Sequence, residues 1–243
     1  MRRAVQQHSL AVLSADYRLA PQTRLLEIFQ DVQDCISFIR TSLPTHLPTK
    51  DAVDVSRLAV SGSSAGGYLA LLAGLYAEPK PMCLVPIYPI TDPLGSFFIT
   101  SQPPPMGRPL ASREELAKCL DPESEVVANC GPVGEDVRMH MYVRMMADAS
   151  LPSLLGIPDP KTATQWRVSR NVYEKGLPPM YVLHGDVDEG VGVEQADEVV
   201  GAALGCGGVV EYERVHGKNH FLDVGEDYEN ERLYLWLKGQ LGQ

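Results

Sequence analysis

Short apolar runs alternate with longer stretches of helical spacing along this chain. Leu10–Ser14 is apolar, breaks off at Asp16-Tyr17-Arg18, and predicts a buried strand. Between 25 and 43, Leu25, Ile28, Phe29, Val32, Ile36, Ile39 and Leu43 recur every three or four positions. That spacing predicts an amphipathic helix, which Pro44 and Pro48 terminate. Leu58–Val60 is a second strand, followed at once by an Ala- and Leu-rich helix over 65–77. Met82–Tyr88 predicts a third strand, Met180–Leu183 another, 194–204 a helix, Val209–Val215 a strand and 226–238 a closing amphipathic helix. Short apolar strands alternating with helices predict an α/β fold, a mostly parallel sheet with helices on both faces.

Residues 91–165 break this rhythm. Pro103-Pro104-Pro105, Pro109, Pro122, Pro132, Pro152, Pro158 and Pro160 interrupt short helical patches. A connection this long in a compact domain predicts a lid or a binding loop. Met139, Met141, Tyr142, Met145 and Met146 either pack one of its helices or line an apolar pocket.

The chain has 243 residues, 44% of them hydrophobic, which suits one large domain spanning 1–243. With 21 Lys+Arg against 31 Asp+Glu the net charge is −10, so nothing attracts nucleic acid or an anionic membrane. No stretch is long and apolar enough to predict a membrane span. Cys35, Cys83, Cys119, Cys130 and Cys206 are odd in number and share no C-x-x-C spacing. That pattern, with no Asn-x-Ser/Thr sequon, predicts reduced thiols and a cytoplasmic setting. Met1-Arg2-Arg3 before Leu10–Leu13 is only a faint signal-peptide mimic and reads as a helix end and a strand. A homodimer is compatible with the composition.

The chemistry begins at residues 60–67, V-S-G-S-S-A-G-G. A strand, a Gly-rich turn and a helix could bind a dinucleotide or a phosphate, but there is neither a G-x-G-x-x-G nor a G-K-[ST]. Gly62-Ser63-Ser64-Ala65-Gly66 does match G-x-S-x-G, the turn that strains a serine and holds it above the strand ends. Ser63 fails the pattern because Ser61 stands where a glycine is needed, so Ser64 is the candidate nucleophile.

Such a serine needs a base, and the base needs a carboxylate. After the 180–183 strand comes His184-Gly185-Asp186-Val187-Asp188-Glu189-Gly190-Val191. Asp188 is the candidate acid, in G-x-x-D-x-x-V; Asp186 is the fallback and otherwise reads as a hydrogen-bond acceptor that orders the loop. After the last strand comes His216-Gly217-Lys218-Asn219-His220-Phe221, and His220 is the candidate base. His216 and His220 are spaced as zinc ligands on a helix, but Gly217 and Asn219 oppose a helix and no third ligand is evident. His8, His46, His140, His184 and His216 read as structural.

Asp16-Tyr17-Arg18-Leu19-Ala20-Pro21 and Gly62–Gly67, with Asp188 and His220, resemble the hormone-sensitive-lipase-like esterases of the α/β-hydrolase fold. The resemblance spans nearly the whole chain. It implies cofactor-free hydrolysis of small to medium carboxylic esters by Ser64, Asp188 and His220, with the Ala65 N–H in the oxyanion hole. One departure stands out. The family's H-G-G-G loop precedes D-Y-R-L-A-P, whereas the fifteen residues before Asp16 hold no glycine. Loss of one oxyanion donor typically costs about 10²–10³ in rate. The sheet is also expected to lack its first three strands and to have a gap between the Leu10 and Leu58 strands. An N-terminally truncated sequence is the favoured explanation, over a short form in which those strands pair or a partner chain fills the gap. The alternative class is a catalytically weak or non-catalytic small-molecule-binding protein on a hydrolase scaffold.

Overall fold

The computed structural model of the chain describes every residue except 1, 50, 51, 130–136, 158, 160–162, 226, 227 and 243, together with all side chains but those of 2 and 3 among them. Cys130, Pro132, Pro158, Pro160 and the expected helix start at 226 lie outside the described residues. In chain order come α1 (Arg2–His8), α2 (Leu25–Thr41), β1 (Ala59–Ser63) and α3 (Ala65–Tyr76). Then follow β2 (Cys83–Ile87), α4 (Val137–Asp148), α5 (Val168–Lys175), β3 (Met180–Gly185), α6 (Glu194–Gly205), β4 (Val210–Val215) and α7 (Glu231–Gln240). By contacts the chain falls into two compact units, 1–15 with 32–91 and 168–243, and 16–31 with 92–167.

The first unit holds the sheet. Its four strands are parallel in the order β1-β2-β3-β4, each next to its neighbour in the sequence. Helix α3 packs on β1 and β2, α6 on β3 and β4, and α5 lies against α3 and α6. Parallel neighbours demand such crossovers, and their right-handed sense places successive helices on the same face. Every residue of β3 is buried, as is all of β2 but Ile87, whereas β1 and β4 are partly exposed. Helix α7 meets β3 through Trp236, whose ring is 5.6 Å from that of Tyr181. It meets α1 through Tyr234, stacked on His8 at 4.0 Å.

In the second unit Arg18 forms a double hydrogen bond to Asp31, Nη2 to Oδ1 at 2.8 Å and Nε to Oδ2 at 3.0 Å. Its backbone N–H adds a third bond to the same carboxylate at 2.9 Å. These bonds, the side-chain ones first, hold the Asp31 carboxyl below its ordinary value despite partial burial. In α4, Val143, Met145 and Met146 are buried. Among the described residues no helix is long and apolar enough to cross a membrane.

Two expectations need correction. Leu10–Ser14 is not a strand: the Leu10 N–H bonds back to the Ala4 carbonyl at 3.1 Å, and Val12 and Leu13 are 44% and 47% exposed. An apolar run becomes a strand only beside a partner, and without one its backbone is better left in water. Hence there is no gap inside the sheet. Among the described residues β1 pairs with β2 alone, and the sheet ends there. The closing helix starts at Glu231, where Asn230 caps it by accepting the Leu233 N–H at 2.9 Å. Helix α5 lies between the irregular stretch and the Met180 strand, in residues to which the periodicity reading assigned no element.

Candidate active site

The register brings the carboxyl ends of the strands level. Ser63 pairs with Ile87, Ile87 with Leu183, and Gly185 with Val215. The turns after β1, β3 and β4 therefore open at one end of the sheet, where ligands bind in open α/β sheets.

Ser64 occupies the turn between β1 and α3 at φ 53° and ψ −117°, a region that non-glycine residues rarely occupy. The turn closes so tightly that a Cβ on Gly62 would run into the Gly66 carbonyl, and one on Gly67 into Pro89. The strained residue is tied down on both sides: its N–H donates to the Ile87 carbonyl at 2.9 Å and its carbonyl accepts from Tyr68 at 3.1 Å. Ala65 is the first residue of α3 and is exposed, and an N–H in that first turn has no intrahelical acceptor.

Asp188 is buried at 8% exposure in the turn after β3. Its Oδ1 accepts the N–H groups of Gly190 and Val191, each at 2.8 Å. Burial alone would push this carboxyl up. Hydrogen bonds from His184 and His220, the charge of His220 and the Val191 N–H outweigh burial and hold it at about 2.

His220 follows β4 and is 9% exposed. Its Nδ1 lies 2.8 Å from Asp188 Oδ2, and its Nε2 lies 3.2 Å from Ser64 Oγ. The three residues singled out from the sequence are thus joined in one hydrogen-bonded chain, hydroxyl to imidazole to carboxylate. Gly190 packs so closely on the imidazole that a Cβ there would overlap it.

Asp186 stands apart from this chain. It accepts the His216 Nδ1–H at 2.8 Å and the Gly217 N–H at 2.6 Å, and these bonds hold its carboxyl below the ordinary value. His216 therefore turns to Asp186 while His220 turns to Asp188. Among the described residues no three His, Cys, Asp or Glu side chains gather as metal ligands.

Three further residues shape the site and were not singled out from the sequence. Asn219 Oδ1 accepts from the Glu189 and His220 N–H groups at 2.9 and 2.7 Å, stitching the base loop to the acid turn. Tyr88, at φ 34° just after β2, sets its ring 4.5 Å from that of His220 and donates its hydroxyl to Asp223. Burial, and then the Asp223 carboxylate, push the Tyr88 phenol well above its ordinary value. His184, in β3, reads as a core residue but lies 3.3 Å from Asp188 Oδ2. A position just past a strand's carboxyl end was a usable signal for Tyr88, and adjacency to His220 for Asn219. Nothing in the sequence marks His184.

The strained Ser turn, the acid and base turns and the parallel sheet together define an α/β-hydrolase fold. A family model described as alpha/beta hydrolase fold matches residues 1–223, and the chain belongs to that family, the hormone-sensitive-lipase-like fold-3 branch. Among curated relatives, the probable carboxylesterase clz11 of Cochliobolus lunatus is 27% identical over 74% of this chain and 85% of its own length. The non-reducing polyketide synthase ausA of Aspergillus calidoustus is 25% identical over 88% of this chain, which spans only 10% of that protein. Among solved structures, carboxyl esterase 2 of Tuber melanosporum superimposes with a TM-score of 0.62 at 18% identity, over 99% of this chain and 70% of that one. A Staphylococcus aureus protein of unknown function does so with a TM-score of 0.69 at 20% identity, over 93% and 75%. Likeness at that identity speaks for the fold alone.

Proposed function

We propose that the chain is a serine hydrolase that cleaves a small to medium carboxylic ester through an acyl-enzyme. The observation that carries this reading is the contact of His220 with both Ser64 and Asp188, at 3.2 and 2.8 Å. With Nδ1–H donated to the carboxylate, Nε2 is the bare nitrogen and accepts the serine proton. Ser64 Oγ then bonds to the ester carbonyl carbon, and the imidazolium formed is stabilised by ionised Asp188. The carbonyl oxygen gains negative charge, which on this reading the Ala65 N–H and the amino end of α3 stabilise. Collapse of the adduct breaks the bond to the alkoxy group, which takes the proton from His220. Water, activated by the same imidazole, releases the acid and restores Ser64. None of these steps calls for a cofactor.

The carboxylesterase relative supports an ester as the substrate. Attack on a thioester would use the same groups. The reading is tested with a fluorophosphonate probe and a panel of p-nitrophenyl esters. Wild type should be labelled at Ser64 and hydrolyse short esters, and Ser64→Ala should lose labelling and nearly all turnover, a fall of about 10⁴ or more. Unlabelled wild-type protein that still binds esters without turnover would point instead to a binding protein on this scaffold.

A further inference from the structure

His184 is the penultimate residue of β3 and has no exposed surface. Its Nε2 lies 2.9 Å from the Val191 carbonyl oxygen and 3.3 Å from Asp188 Oδ2. A carbonyl oxygen only accepts, so Nε2 carries the proton, and its N–H faces both acceptors. The other ring nitrogen, Nδ1, is buried with no hydrogen-bond partner among the described residues. A proton there would be a buried donor without an acceptor, which is costly. The two ends of the ring thus select one tautomer.

The bonds close a ring. Val191 donates its N–H to Asp188 Oδ1 and offers its carbonyl to His184, whose Nε2–H also reaches Asp188 Oδ2. Oδ2 is the same oxygen that His220 uses. Oδ1 is therefore held by the Gly190 and Val191 N–H groups, and Oδ2 is flanked by the imidazoles of both His184 and His220.

We propose that His184 is a positioning residue for the Asp188–His220 pair, its Nε2–H sharing and orienting the carboxylate oxygen that holds the base. This rests on the hydrolase reading above. Loss of the donor should have two effects. The carboxylate is held less firmly, so fewer molecules present His220 in the reactive pose. Its negative charge is also less offset, which favours the charged form of His220 and moves the acidic limb of the pH–rate profile to higher pH. The other charged or titratable groups on the neighbouring elements are engaged as follows. Tyr88 packs on His220 and is bonded to Asp223, and Arg214, in register with His184 on β4, is held by Asp197. Asp186 is engaged by exposed His216. All of these are retained in the variants below.

The test follows the rate of Ser64 labelling by a fluorophosphonate across the pH range in which histidine titrates, for wild type, His184→Phe and His184→Gln. Phe keeps a planar ring without the donor, and Gln restores an N–H. The expected result for His184→Phe is a plateau rate lower by about tenfold. Its acidic inflection should move up by about half a unit or more, and His184→Gln should recover most of both losses. If wild type is labelled and His184→Phe gives the same profile, the positioning role is overturned while the hydrolase reading stands. Unlabelled wild type overturns the hydrolase reading itself. Should His184→Phe fail to fold, ¹⁵N NMR of the wild-type histidines decides the matter. A ring at 184 protonated at Nε2 with Nδ1 bare is expected, and one protonated at Nδ1 overturns the proposal.

Discussion

Ser64 carries a backbone conformation that typically costs about 1–3 kcal/mol, and its neighbours are chosen to permit it. Gly62 is the clearest case, because the path of the chain brings the Gly66 carbonyl to where its side chain would begin. Gly62→Ala should therefore destabilise the protein by about 2–3 kcal/mol, since backbone rather than a flexible side chain must yield. Urea denaturation would measure it, and labelling of Ser64 should fall with it, because the same displacement moves the nucleophile. A G62A variant with an unchanged urea midpoint would show that the turn is looser than its geometry. The glycines and the serine were readable from the sequence because G-x-S-x-G is a local pattern set by a local turn. His184 was unreadable because its significance is a contact with a residue that only the folded turn brings near.

At the scale of elements, the site is three turns held in place by strand register and then bonded to one another. Asn219 is the bond between the acid turn and the base loop. Asn219→Ala should leave the sheet intact and cost about 1 kcal/mol of stability, the usual worth of such hydrogen bonds. Turnover should suffer more, by about tenfold or greater, because a slightly misplaced base is expensive. Comparing the denaturation midpoint with kcat separates the two effects, and a loss of stability without loss of kcat would deny Asn219 its part in placing His220. Most elements could be foreseen from period alone, and β2, β3, α3 and α6 fall within a residue or two of their expected spans. The Leu10–Ser14 run was misread because apolarity reports that a segment favours burial, and it says nothing of whether a strand edge is there to receive it. Helix α5 was overlooked because eight residues after a proline-rich stretch carry too little periodic signal.

For the molecule as a whole, the ionised Asp188 links the site to stability. Its carboxyl is held at about 2 against an ordinary value of 3.8. Folding therefore gains from the ionised form at any pH above the unfolded-state value, and loses that gain as pH falls through about 2. The difference corresponds to roughly 2 kcal/mol. Resistance of wild type to urea should fall on acidification from pH 4 toward 2, and that of Asp188→Asn should fall less over that window. Equal acid sensitivity of the two proteins would place the linkage elsewhere, for example at Asp31 with Arg18. By itself the sequence determined the α/β class, the serine turn, and a candidate acid and base in chain order, because strand and helix periods and tight turns are written in neighbouring residues. Only the tertiary structure decided that Asp188 rather than Asp186 faces His220, that His184 and Tyr88 surround them, and that the sheet ends at β1. Those outcomes depend on register and on which side chains meet across the fold, and contacts between residues 32 and 156 positions apart leave no periodic trace along the chain.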